Sequence, residues 1–143
     1  MNRDKTVPES QLVMTMWIIW FFILSGLFVI ALVMAPELKT VEKLAGPMQF
    51  PPLALIGIAA VLLGLIMRFV VVPSCKTLQT KLPFMIAGLA LCEGCGFIAL
   101  FVLNDELVQL RGLLFWLSIA SVVLSAPLYA RAKSKAASPF HQS

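Results

Sequence analysis

The sequence predicts an all-α membrane protein, built as a bundle of four transmembrane helices. Three observations carry that expectation. Of the 143 residues, 60% are hydrophobic and 13% are charged, against about 25% charged in a soluble domain. The apolar residues stand in four long blocks, each able to cross a bilayer. Within the blocks there is no polar stripe of the kind that gives a soluble helix two faces.

A backbone in hydrocarbon must satisfy its amides internally, so each block is expected to be helical. The first, Leu12 to Ala35, holds 24 residues and no charge. It would reach about 36 Å, longer than a hydrocarbon core of about 30 Å. It is too long for a signal-peptide core and is expected to be retained. Pro36 is expected to stop it, because the ring removes a donor and crowds the preceding turn. The second block runs from Leu53 to Val72, with Pro51 and Pro52 where a first turn tolerates proline. Arg68 lies near its far end, where its head is expected to snorkel to the interface. The third is Leu82 to Leu103, interrupted by Glu93, and the fourth is Gly112 to Ala130 between Arg111 and Arg131. Pro127 is expected to bend the fourth helix. Residues 1–11 and 131–143 are polar flanks, the latter basic.

Charge sets the orientation. The side with both termini and the loop between the second and third spans carries eight of the Lys and Arg residues, Arg68 near the end of the second span included, and the other side three. Cytoplasmic loops hold that excess, so both termini are expected inside, in a bacterial inner membrane. The net charge of +4 thus reads as topology, and no nucleic-acid patch is present. Phe84 and Tyr129 fall near the inner interface, and Phe115 and Trp116 near the outer one. Trp17 and Trp20 lie deeper and are expected to face lipid or another helix.

Two patterns bear on packing. Shifted by 61 residues, Gly57, Ala60 and Gly64 fall on Ser118, Ser121 and Ser125, and the first span aligns with the third at a shift of 68. This admits two parallel helical-hairpin repeats. Small residues also recur at helical spacing: Gly57, Ala60 and Gly64 on the second span, and Gly88, Cys92 and Gly96 on the third. Lipid tails give no hydrophobic drive between helices, so close backbone approach over small residues is expected to form the seams. Each serine either lines a seam or bonds back to its own helix.

Glu93 is the twelfth of 22 residues in the third span, near the bilayer midplane. An acid there costs about 2.5–3.5 kcal/mol on insertion scales. Two readings stand. It is a proton or ion relay, a substrate counter-ion or a partner contact. Alternatively it is a neutral acid holding the bundle in register through a hydrogen bond. Its candidate partners are Ser25, Ser118, Ser121 and Ser125.

The string Gly88-Leu89-Ala90-Leu91-Cys92-Glu93-Gly94, followed by Phe97-Ile98-Ala99-Leu100, resembles the carboxyl-bearing helix of rotary ATPase proteolipid c subunits. That resemblance covers the third span and implies that Glu93 carries a proton or sodium ion. The second span lacks that family's dense alternating glycines, and Trp17, Trp20, Phe21 and Phe22 would crowd an inner ring.

Cys92 and Cys95 form a Cys-x-x-Cys pair on one helical face, the spacing of redox motifs. Together with four helices, this resembles membrane thiol oxidoreductases of the quinone-reducing or vitamin K epoxide reductase kind. Those have a second cysteine pair in an outer loop, and here Cys75 lies in the inner loop. The alternative is that both are small packing residues. No metal set is present, since the sole histidine is His141. No cofactor fingerprint is found either.

Three functions remain open. The chain is a channel, carrier or proteolipid-like subunit moving protons or cations through Glu93. It is a non-catalytic accessory or scaffold subunit. Or, least expected, it is an enzyme using Cys92 and Cys95. The expected partners are the bilayer and either further copies of the chain or other membrane subunits.

Overall fold

The computed structural model describes residues 8–38, 51–103 and 107–130. Residues 1–7, 39–50 (with Lys39, Glu42 and Lys43), 104–106 (with Asp105 and Glu106) and 131–143 lie outside the described residues. Four helices follow in order: α1 Glu9–Leu38, α2 Pro52–Ser74, α3 Leu78–Val102 and α4 Val108–Leu124. There is no strand among the described residues.

α1, α2 and α3 are each long and apolar enough to cross a membrane. Their exposed surfaces name the solvent. Twenty-seven large apolar side chains among the described residues are exposed, Phe22 at 72% and Leu32 at 76%. Each costs about 1.5–3 kcal/mol to leave in water, and a domain is stable by only about 5–15 kcal/mol. Such a surface suits hydrocarbon, the surface of an integral membrane protein.

The helix ends follow local chemistry, and three differ from the sequence expectation. α1 continues through Pro36 to Leu38. The proline forfeits one bond, and only the last residues lie beyond it. α3 begins at Leu78, before the apolar edge at Leu82, because Thr77 caps it: its Oγ1 accepts from the Thr80 N–H at 3.3 Å. α4 spans 17 residues, about 25 Å and short of a core of about 30 Å. Pro127 does not bend this helix but lies beyond its end. Proline has no N–H to continue the ladder and pushes the residue before it out of the helical region. The chain beyond still packs on the bundle, with Ser125, Pro127 and Ala130 buried.

Two helices widen near their ends. α2 forms a π-helical turn at Met67–Val71, just before Pro73, which has no N–H to offer. α3 forms another at Ile98–Val102, closed by the Leu103 N–H on the Ile98 carbonyl at 3.1 Å.

α3 is the centre of the bundle. It touches α1, α2 and α4, and α4 touches α1 and α2, whereas α1 and α2 make no close contact among the described residues. The arrangement is a rhombus with α3 and α4 on the short diagonal. Of the most apolar stretch of each helix, 44% is buried in α3 and 11% in α1. The two sequence hairpins therefore pack differently: α3 and α4 lie along each other, while α1 and α2 sit on opposite flanks.

Small residues form both central seams. On the α2–α3 seam, a Cβ at Gly64 would lie 2.7 Å from Cys92 Sγ and from the Gly88 carbonyl, and one at Gly57 would lie 3.3 Å from Cys95 Sγ. Gly57 thus faces Cys95, and Gly64 faces Gly88 and Cys92, an antiparallel register. Ala60 lies half-buried between those glycines. On the α3–α4 seam, a Cβ at Gly96 would lie 2.9 Å from Ser118 Oγ. Phe115 is fully buried there, packed between helices rather than exposed on the bundle's outer surface. Its neighbour Trp116 is 55% exposed.

Gly64→Ala is expected to destabilise the fold by about 1–3 kcal/mol, because the new methyl meets backbone. Gly94→Ala, where nothing lies within 4 Å, is expected to be neutral or to gain up to about 1 kcal/mol of helix propensity. Thermal unfolding followed by circular dichroism in one detergent checks both.

Candidate functional site

Glu93 lies on α3 three residues beyond Ala90, the middle of that 25-residue helix. Its helical neighbours divide between two environments. Leu89 and Gly96 are buried, whereas Ala90 and Phe97 are exposed. Glu93 itself is half-buried, at the border between the seam and the outer surface. No hydrogen bond or ion pair to its carboxyl is formed among the described residues.

The four candidate partners are otherwise engaged or apart. Ser118 Oγ donates to the Cys92 carbonyl across the α3–α4 seam at 2.8 Å. Ser121 donates to the Ser118 carbonyl and Ser125 to the Ser121 carbonyl, each at 2.8 Å. All three serines are buried. Their hydroxyl protons serve backbone oxygens, one tying two helices and two bonding back within α4. Ser25 is half-buried on α1, with no hydrogen bond to Glu93.

Cys92 and Cys95 are fully buried free thiols. Each faces a glycine of α2, and Cys95 Sγ donates weakly to the Leu114 carbonyl at 3.6 Å. They occupy the packing seam. Cys75, past the end of α2, is a half-buried free thiol. No group of three or more metal-ligating side chains occurs among the described residues.

Other polar side chains reach across the bundle. The buried Arg111 donates through Nε to the Ala99 carbonyl at 3.2 Å and through its terminal nitrogen to the Leu100 carbonyl at 2.9 Å. Those carbonyls belong to the π turn that ends α3, so a helix end with orphan acceptors is closed by a cation. Sequence reasoning placed Arg111 outside, as a bracket of the fourth span. A signal was present: a cation in the first turn of a helix opposes the dipole and wants another partner. Trp20 Nε1 donates to the Val122 carbonyl at 2.8 Å, joining α1 to α4. It also meets Trp17 edge to face, with ring centres 5.6 Å apart. Arg68 donates to the Ala126 carbonyl at 2.8 Å and lies over the Tyr129 ring at 4.3 Å. Its head is thus folded onto the end of the bundle and only half-exposed.

Among the described residues, fold and site define an all-helical membrane bundle with an unpartnered carboxyl midway along its central helix. No protein-family model, curated protein or solved structure matches the chain.

Two outcomes are expected. Arg111→Leu leaves two buried carbonyls without their donor, at about 1–3 kcal/mol for each. The apparent melting temperature in detergent should fall accordingly. A water-soluble maleimide should label Cys75 in the folded protein and leave Cys92 and Cys95 untouched until denaturant is added, a difference read by intact mass.

Proposed function

We propose that this chain is a non-catalytic membrane subunit whose work is association within the bilayer, with Glu93 as its polar contact to a neighbouring membrane chain. The observation that carries the reading is the carboxyl itself: midway along α3, half-exposed, with no partner among the described residues. A carboxyl in hydrocarbon costs several kcal/mol unless another group receives it. The serines that might have done so within the chain donate to backbone carbonyls instead. The neighbour is a second copy of the chain or another membrane subunit. The excess of basic residues on the side of the termini supports an orientation with both termini in the cytoplasm, in a bacterial inner membrane.

The relay reading uses the same residue, and the same lack of an in-chain partner leaves the carboxyl available to a proton or cation. One pair of variants separates the two. Glu93→Leu removes the contact, and Glu93→Gln keeps a neutral hydrogen-bonding group of the same shape. Under the association reading, Glu93→Leu weakens the particle extracted in mild detergent about threefold to tenfold, and Glu93→Gln largely preserves it. Size-exclusion chromatography with light scattering over a dilution series measures this. An unchanged particle in Glu93→Leu sinks the association reading. An intact particle whose proton flux in proteoliposomes is abolished by Glu93→Gln replaces it with the relay.

A further inference from the structure

At the end of the bundle where α2 finishes, α3 starts and α4 has ended, three side chains converge. Arg68 comes from the π turn of α2, Lys81 from the first turn of α3, and Tyr129 from the chain beyond α4. The Arg68 guanidinium carbon lies 4.3 Å from the centre of the Tyr129 ring, and Lys81 Nζ lies 5.6 Å from it. Two cations therefore share one aromatic ring, which attracts each of them and leaves their mutual repulsion uncompensated. Neither forms an ion pair among the described residues. Arg68 uses one bond, to the Ala126 carbonyl at 2.8 Å, while its Nε and the Tyr129 hydroxyl are buried without partners. A guanidinium presents five donors in a fork that suits phosphate.

The setting argues for the source of the anion. Arg68 lies six residues before the end of α2, about 9 Å from it, the depth at which a basic side chain meets headgroups. The cluster is flanked by exposed apolar side chains: Phe69 at 58%, Phe84 at 39% and Leu128 at 68%. The adjoining cavity beside Arg68, of about 10 Å³, is lined by Met85, Gly88, Leu89 and Ser125 among others. It has room for one water and none for a phosphate, so an anion must sit on the outer side, toward lipid.

We propose that Arg68, Lys81 and Tyr129 form a binding site for the phosphate headgroup of an anionic phospholipid, whose acyl chains lie against Phe69, Phe84 and Leu128. The headgroup neutralises both cations and gives an acceptor to the guanidinium donors left over by the Ala126 carbonyl, the buried Nε apart. Basic pockets between transmembrane helices bind such headgroups on general electrostatic grounds. The site is independent of whatever Glu93 contacts.

Native mass spectrometry of the full chain in detergent tests this, with phosphatidylglycerol and phosphatidylcholine titrated separately and inorganic phosphate as competitor. The expected result is one retained phosphatidylglycerol and no retained phosphatidylcholine. Lys81→Gln weakens it about fivefold, and Arg68→Gln at least as much. Lys81 Nζ makes no hydrogen bond among the described residues, so Lys81→Gln folds normally even where Arg68→Gln does not. The combined variant Arg131→Gln, Lys133→Gln, Lys135→Gln retains the lipid. Equal retention of both lipids overturns the proposal, as does unchanged affinity in Lys81→Gln or loss confined to the tail variant. Displacement of phosphatidylglycerol by low millimolar phosphate reassigns the site to a free anion and overturns the lipid.

Discussion

Where these helices break, their carbonyl oxygens have no water to turn to, and the bundle is arranged around that shortage. The π turn ending α3 leaves the Ala99 and Leu100 carbonyls without helical donors, and Arg111 on α4 supplies both. In the segment beyond α4, forced out of the helix before Pro127, the Ala126 carbonyl accepts the Leu128 N–H and, on its other side, Arg68 of α2, each at 2.8 Å. Trp20 on α1 reaches the Val122 carbonyl near the end of α4. In a medium without competing solvent each such bond keeps much of its intrinsic strength, and each orphan would cost its full desolvation. The bonds therefore fix which helix lies beside which as firmly as the apolar contacts do.

The apolar contacts have a different origin from those of a soluble core. Leucine gains little by leaving lipid for leucine, so dispersion between closely approaching backbones decides the pairing. Gly57, Gly64 and Gly88 let α2 lie against α3 with the cysteines as spacers, and Gly96 lets α3 meet Ser118 of α4. The same reasoning explains why the Cys-x-x-Cys pair is a matter of packing. Both sulfurs fill the groove that the glycines open.

Against this satisfied interior, two uncompensated polar features among the described residues lie toward the outer surface. The Glu93 carboxyl sits at the seam's border with no partner, and the Arg68–Lys81 pair at one end has no anion among the described residues. An isolated bundle that meets its own backbone needs so thoroughly, and leaves these groups open, has the character of a component. One feature faces a protein neighbour in our reading, the other a lipid.

The sequence by itself determined the helical class, because hydrophobicity in long unbroken runs leaves the backbone no other way to bond. It also pointed to the seams, since small residues at helical spacing have few other uses in lipid, and it singled out Glu93 by depth alone. Tertiary structure decided what spacing cannot encode. Cooperation between distant segments is invisible to local pattern: Arg111 read as a boundary charge and is a buried cap for another helix. Phe115 read as an aromatic near the end of its span, and packing between helices buries it fully. The serines read as partners for Glu93 and serve carbonyls instead. The physical reason is common to all three. In hydrocarbon a polar group is placed by the nearest unsatisfied partner in space, and that partner is set by how four helices pack.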